Sequence, residues 1–487
     1  MQQSVILVRC KIAFDTGIIK ILGAKVMHRN EENMKKQMKI LCACFLSVVL
    51  SITTIGCGQK NSADKSSKTD DINTQTKDTD ISANISLWTF PLGTWADKAT
   101  VSKVIKKFNE KYPNINVEFK ALDYDTGDAV IEKAIKQKQA PDIVLEGPER
   151  LVSNWGDNGY LINLNDMWTD DVVSDVVKNN TSVLAACIGS DGNYYEYPLC
   201  MNTHCMAVNK ELFEKSGAMK YIDQKKRTWT TEGFQKALKA LKAYGVKKTG
   251  VVYCGGQGGD QGTRALAMNL YSAKFTNGTY TQWTMDSSAG IRGIQQLVDW
   301  VNAGLLSYDP NIVAADELSM FASKKVAMTF CWNASNRVNY ASEIDFTPYA
   351  VAFPSDDGVP ELAGGLPGFC VFNNEDENRQ KAAKIFISYL CNDSEQGAES
   401  IRMSGFFPVK ASSGDVYKGT DNEKVMQEFS SMMKYLGDYY NVAPGWAEQR
   451  TAWWMMLKKV FAGKNVSQEV KAYTKICNKA TDKALKE

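Results

Sequence analysis

From Ile85 onward the apolar residues switch repeatedly between two periods, and that alternation limits the fold more than any other feature of the chain. "ISLWTF" at 85–90 reads as a strand. Val101, Val104, Ile105 and Phe108 then recur at i, i+3, i+4 and i+7, the spacing of one helix face. Ile115, Val117 and Phe119 return to the strand period. Val130, Ala134 and Ile135 mark a second helix, "PDIVLEG" a short strand and "ERLVSNWGDNG" another helix. This β-α-β-α-β order predicts an α/β fold with a mostly parallel sheet covered by helices. A second series follows. Phe234, Leu238 and Leu241 lie on one helix face behind a capping Thr and end at Gly245. Another helix runs between Asp286 and Gly304, and "TGVVYC", "KVAMTFCW", "YAVAFP" and "GFCVF" read as strands. "NRQKAAKIFISYL" and the stretch from Trp446 to Lys479 read as helical.

The N-terminal region has a different character. Lys35, Lys36 and Lys39 precede a nearly uncharged run, Ile40 to Ile55, of roughly 16 residues. That is the make-up of a secretory leader, and it is short for a membrane-spanning helix. Gly56 and Cys57 close it. The arrangement resembles a bacterial lipoprotein signal, in which the cysteine becomes acylated as the leader is removed. Thr54 stands where that pattern usually has Leu, which leaves cleavage by an ordinary signal peptidase open. On this reading 34–57 is the signal peptide and Cys57 the lipidation site. Residues 1–33 are an extension, either a real n-region or the product of an early start. Residues 58–81 hold hardly any large apolar side chain and read as a polar tether that cannot offset its ordering entropy by burial.

About 400 residues remain beyond the tether, more than one core comfortably holds, so two lobes are expected. The formal net charge of +2 gives no electrostatic footprint for nucleic acid. There are two histidines, and only His204 lies beyond the leader, which weighs against a His-based triad or metal site. The cysteine spacing forms no zinc pattern; Cys200 and Cys205, the one close pair beyond the leader, are read as free thiols. No metal and no cofactor are therefore expected. "CGGQGGDQGTR" is glycine-rich but lacks the Gly-Lys-Ser/Thr ending of a phosphate cradle, and reads as a strand-to-helix turn. "DYDTGDAVIE" misplaces the glycine and glutamate of a calcium loop, and reads as an acidic helix start.

The stretches "FNEKYPNINVEF", "APDIVLEG", "YEYPLCMNTHCMAVNKELFEKSG", "WTTEGFQKALKAL", "FASKKVAMTFCW", "AGGLPGFCVFNN" and "VAPGWAEQRTAWW" span roughly 82–480 in this order. Together the chain resembles an extracellular solute-binding protein of the sugar-binding ABC-importer class, the maltose-binding-protein-like group. The resemblance implies a periplasmic-binding-protein-like α/β fold: two α/β lobes around a ligand cleft, joined by hinge crossovers. It implies crossings near Pro198 to Asn209, Gly364 to Phe369 and Phe407 to Pro408. Lobe one is then 82–200 with 366–407, and lobe two is 201–365 with 408–487. It further implies a monomer that is not an enzyme. Such a protein captures a carbohydrate outside the cell, sits on the membrane through a lipid anchor at Cys57, and delivers its guest to the transmembrane subunits of an ABC permease.

A sugar needs flat rings for its C–H faces and fixed donors and acceptors for its hydroxyls. The resemblance places Phe90 and Trp95 after the first strand, Glu146 and Arg150 at the end of "PDIVLE", and Asn202 at the first crossing. It places Trp332 at the end of "VAMTFCW" and Trp446 at the start of the last helical region as stacking rings. Gly364 and Gly365 permit close backbone approach, and Gln257 and Asp260 approach the cleft from the glycine-rich turn. Each has a plainer reading: Glu146 as a helix cap, Arg150 as a surface ion pair, the aromatics as core. Trp155, Trp229, Trp283, Trp300, Trp453 and Trp454 are expected to pack. Other functions stay open: a receptor or sensor on the same scaffold, a binder of a non-sugar solute, or a glycosidase using Glu146 and Glu149.

Overall fold

The computed structural model describes residues 81–124, 126–180, 182–253, 261–437 and 442–486. The expected leader, Cys57, the tether and the glycine-rich turn with Gln257 and Asp260 lie outside the described residues.

The first sheet holds β1 (Ala83–Thr89), β2 (Ile115–Ala121), β3 (Ile143–Glu146), β4 (Tyr197–Pro198) and a late strand, Gly368–Val371, in the order β2-β1-β3-late strand-β4. β1 is parallel to β2 and β3, while the late strand is antiparallel to β3 and β4. Successive side chains of β3 enter different cores. Ile143 and Leu145 belong to the large one, and Val144 to a smaller one with Phe90, Leu151, Trp155 and Phe372. A strand buried on both faces reads as a continuous apolar run, as "DIVL" does. The helices Lys98–Lys111 and Gly127–Lys136 make the crossovers that parallel pairing requires. Asp97 caps the first through Ala99 and Thr100. Asp123 takes the Thr126 N–H and hydroxyl at 2.6 and 2.7 Å and starts the second, as the helix-start reading expects.

The chain then runs straight from β4 through β5 (Cys200–Thr203) into β6 (Cys205–Asn209). β7 (Val251–Tyr253) pairs in parallel with β8 (Ser307–Asp309). β9 (Met328–Trp332) and β10 (Pro348–Val351) flank β6 in a second, antiparallel sheet. β11 (Gly364–Gly365) precedes the late strand, now β12, and β13 (Phe407–Pro408) closes the series. β5 lies between β11 and β13, antiparallel to both. The three segments expected to cross between lobes are thus bonded into one small sheet.

Trp155, Trp229, Trp283, Trp300 and Trp453 are buried as expected. Cys200 and Cys205 are free, buried thiols. The C-terminal stretch is helical as expected, in two helices, Trp446–Phe461 and Val466–Ala484, parted at Gly463, whose φ of 89° suits glycine.

Candidate functional site

Parallel strands end together, and the loops that leave their carboxyl ends are where an open α/β sheet receives a ligand. Here β1 ends into Phe90 and β3 ends at Glu146. Pro148–Arg150 begins the next helical segment, which continues with π-type winding through Leu151–Gly156. That turn brings Arg150 back over the strand end. Its guanidinium donates through Nη1 to Glu146 Oε1 at 2.9 Å, and through Nε and Nη2 to the two oxygens of Asp128 at 2.7 and 2.9 Å. The same group lies 4.9 Å from the Phe90 ring centroid and 5.7 Å from that of Tyr124. Tyr124 stacks on Phe90 at 5.4 Å and is half exposed.

Glu146 and Arg150 are both buried. Burial pushes the Glu146 carboxyl up to about 7, against the pull of the Arg150 charge and with a further push from Glu149. Glu146 Oε2 also accepts the Gly147 N–H. Burial works against the Arg150 charge too, but Glu146 and Asp128 more than offset it and hold the guanidinium ionised. Glu196, at the entrance to β4, adds a third carboxyl to this edge and is fully enclosed.

The sequence expectation of Glu146, Arg150 and Phe90 at one place corresponds to this cluster. Phe90 is not the free platform expected, because Tyr124 covers one face and the ring is 1 % exposed. The open ring at this edge is Tyr124. Trp95 is a correction: it is core, its indole N–H donating to Ser400 O at 3.1 Å and its ring meeting Phe369 edge-on. Trp332 is a second. It is 1 % exposed and packs edge-on against Phe321 at 5.6 Å, with Tyr340 at 6.4 Å. An indole at a strand end turns inward when such partners wait there. The helix from Trp446 begins where expected, but the placement of its side chain lies outside the described residues.

Asn202 serves the crossing itself. Its Oδ1 accepts the Gly365 N–H at 2.7 Å, so the oxygen expected for a guest hydroxyl is already engaged. Gly364 and Gly365 do permit close approach, but of strand to strand. A Cβ on Gly364 would lie 2.9 Å from Asn202 O, and one on Gly365 2.9 Å from Asn202 Oδ1. Asn202→Ala is therefore expected to cost about 1–2 kcal/mol in urea unfolding, while Asn202→Asp, which keeps the acceptor, costs less.

Sequence reasoning missed Tyr124, Asp128 and Glu196 as site residues. Tyr124 and Asp128 belong to the stretch read as an acidic helix start, a reading that carries no ligand role. Among the described residues no group of His, Cys, Asp and Glu is placed to hold a metal ion. Among them, too, no helix is long and apolar enough to cross a membrane.

A mixed sheet and a second, antiparallel sheet, with the small β5-β11-β13 sheet between them in the chain, make a mixed α/β fold of the periplasmic-binding-protein-like kind. The chain belongs to the bacterial extracellular solute-binding protein family, whose model matches residues 103–428. Solved structures show the same fold. The GacH receptor of Streptomyces glaucescens, described unliganded and with acarbose, aligns at TM-score 0.65 and 19% identity over 84% of this chain and 99% of that one. The cyclic α-maltosyl-1,6-maltose binding protein of Arthrobacter globiformis aligns at TM-score 0.66 and 19% identity, covering 82% and 100%. An ABC substrate-binding protein of Listeria monocytogenes in complex with cycloalternan aligns at TM-score 0.63 and 17% identity, covering 82% and 98%. No curated relative matches the chain.

Proposed function

We propose that this protein is the lipid-anchored substrate-binding subunit of an ABC importer that captures a carbohydrate, an oligosaccharide above all, between two lobes. The observation that carries the reading is the cluster at the ends of β1 and β3. It sets a half-exposed ring, Tyr124, beside a fixed donor, Arg150, and fixed acceptors, Glu146 and Asp128. A ring face with flanking hydrogen-bond groups is what a pyranose recognises. The saccharide ligands of several solved relatives of the same fold support it.

Lobe one comprises 82–200 with 366–407, and lobe two 201–365 with 408–487. The β5-β11-β13 sheet is the hinge about which they close on the guest. Residues 34–57 target the chain outward, the acylated Cys57 moors it, and 58–81 give the body reach toward the permease. It works as a monomer and transforms nothing. Ion pairing of Glu146 with Arg150 favours this over glycosidase chemistry, since a general acid needs its proton free for the leaving group. A sensor partner on the same scaffold is the second reading, and the polar tether fits either.

A thermal-shift screen over mono- and oligosaccharides tests capture, because a guest that binds only the folded chain raises its melting point. A rise with at least one saccharide is expected. No rise with any, alongside a rise with amino acids, polyamines or phosphate esters, would move the reading to another solute.

A further inference from the structure

Glu196 is 0 % exposed where the chain enters β4. Its backbone carbonyl accepts the Trp168 indole N–H at 3.0 Å, yet neither of its carboxyl oxygens has a hydrogen-bond partner. Where the side chain points is fixed by its neighbour. A Cβ placed on Gly368 would lie 2.5 Å from Glu196 Oε1, so the carboxyl lies across the first residue of β12. Gly368 is the register partner of Glu146. By the strand period it shares a sheet face with Cys370 and Phe372, the face of the smaller core that holds Phe90. The acid therefore points into the edge already occupied by Glu146, and it lies just past the return crossing at Gly364 and Gly365.

A carboxyl so enclosed is held neutral. Burial raises it well above the usual carboxylate range, and Glu149 and Glu146 raise it further. A neutral carboxyl carries one O–H donor and acceptor capacity on both oxygens. Leaving these unmade in the interior costs free energy that a leucine of similar volume would not. Native folds keep such groups for a reason, and functional sites are where the local rules are broken.

We propose that Glu196 is a solute-contact residue, a buried acid that donates to one hydroxyl of the guest and accepts from its neighbour. This rests on the capture reading and sharpens it. A donor and an acceptor on one carboxyl suit an uncharged polyol with adjacent hydroxyls.

The test compares wild type, Glu196→Gln and Glu196→Leu, each melted alone and titrated calorimetrically with maltotriose, cycloalternan and D-tagatose. Gln keeps a donor and an acceptor at the same reach, so Glu196→Gln is expected to bind within about threefold of wild type. Glu196→Leu is expected to lose at least about tenfold in affinity while melting, without solute, at or above the wild-type temperature. Wild-type affinity in Glu196→Leu overturns the proposal. So does a solute-free melting point well below wild type in Glu196→Leu, because the carboxyl then has a structural partner. If none of the three probes binds wild type, the carbohydrate reading fails on its own. The solute-free comparison still decides for or against Glu196 as a group awaiting a guest.

Discussion

Replacing Arg150 by methionine is expected to lower the unfolding free energy by about 3–5 kcal/mol in mildly alkaline solution, and by clearly less in mildly acidic solution. Methionine has nearly the same reach, so little packing is lost. What goes is the charge that Glu146 and Asp128 share. Asp128 is partly exposed and water can take over its bonds, whereas Glu146 is buried and cannot be resolvated. Removing one member of a buried pair costs more than the pair was worth, because the other is left charged in a poor solvent. Glu146 has an escape, which is to bind a proton. Its carboxyl already sits at about 7 because burial outweighs the guanidinium, and losing that guanidinium moves it higher. A carboxyl whose folded value exceeds its unfolded one contributes fully below the unfolded value, near 4.5, and loses that contribution as pH rises through the folded value. The deficit of Arg150→Met therefore grows as pH rises through and above about 7. Urea unfolding followed by tryptophan fluorescence at three pH values checks this. A deficit that does not change with pH would show that Glu146 is not the group left behind. Solute affinity is expected to fall as well, because the same fork orients Glu146 and supports the Phe90–Tyr124 stack.

The elements of this fold are legible in the chain because each carries its own period and its own stops. Asp97, Thr230 and Ser287 cap helices where apolar stripes begin, and Gly245 ends one in the left-handed conformation. The helical character of the tail is legible too, while its division into two helices rests on the left-handed turn at Gly463. At the site, Glu146 and Arg150 were visible because they sit four residues apart at a strand end, and the chain's own turn brings them together. Glu196 was not. It reaches Glu146 only because β12 inserts antiparallel between β3 and β4, a pairing between strands remote in sequence that no local pattern records. Trp95 and Trp332 show the reverse failure. Both stand beside turn residues, a position shared by platforms and core rings alike. Phe369, from a strand remote in sequence, decides the one, and Phe321, from the helix just before β9, the other.

Glu317 is the other place where one side chain should matter greatly. It is fully buried on the helix Ala314–Ala322 and joins that helix to β9. Oε1 accepts the Phe330 N–H at 2.6 Å and Oε2 the Thr329 hydroxyl at 2.6 Å. Burial pushes this carboxyl up to about 8 even though both bonds pull it down. Glu317→Leu leaves a buried N–H and a buried hydroxyl without their acceptor, and is expected to cost about 2–4 kcal/mol near neutral pH. Glu317→Gln is expected to fare differently, since its oxygen keeps the Phe330 N–H while its amide donates to a rotated Thr329 hydroxyl. The glutamine also removes a titration. The wild-type contribution is complete below the ordinary carboxylate value of 4.5 and is lost as pH rises to about 8, so the Gln variant gains on wild type between about pH 4.5 and about pH 8 and runs parallel to it above. His204, which burial lowers to about 4, titrates alike in both proteins and cancels in the comparison, as does Glu146. Melting curves for the two variants and wild type across the window give the answer. Parallel curves for Gln and wild type would mean that Glu317 stays ionised in the fold, its two hydrogen bonds outweighing its burial.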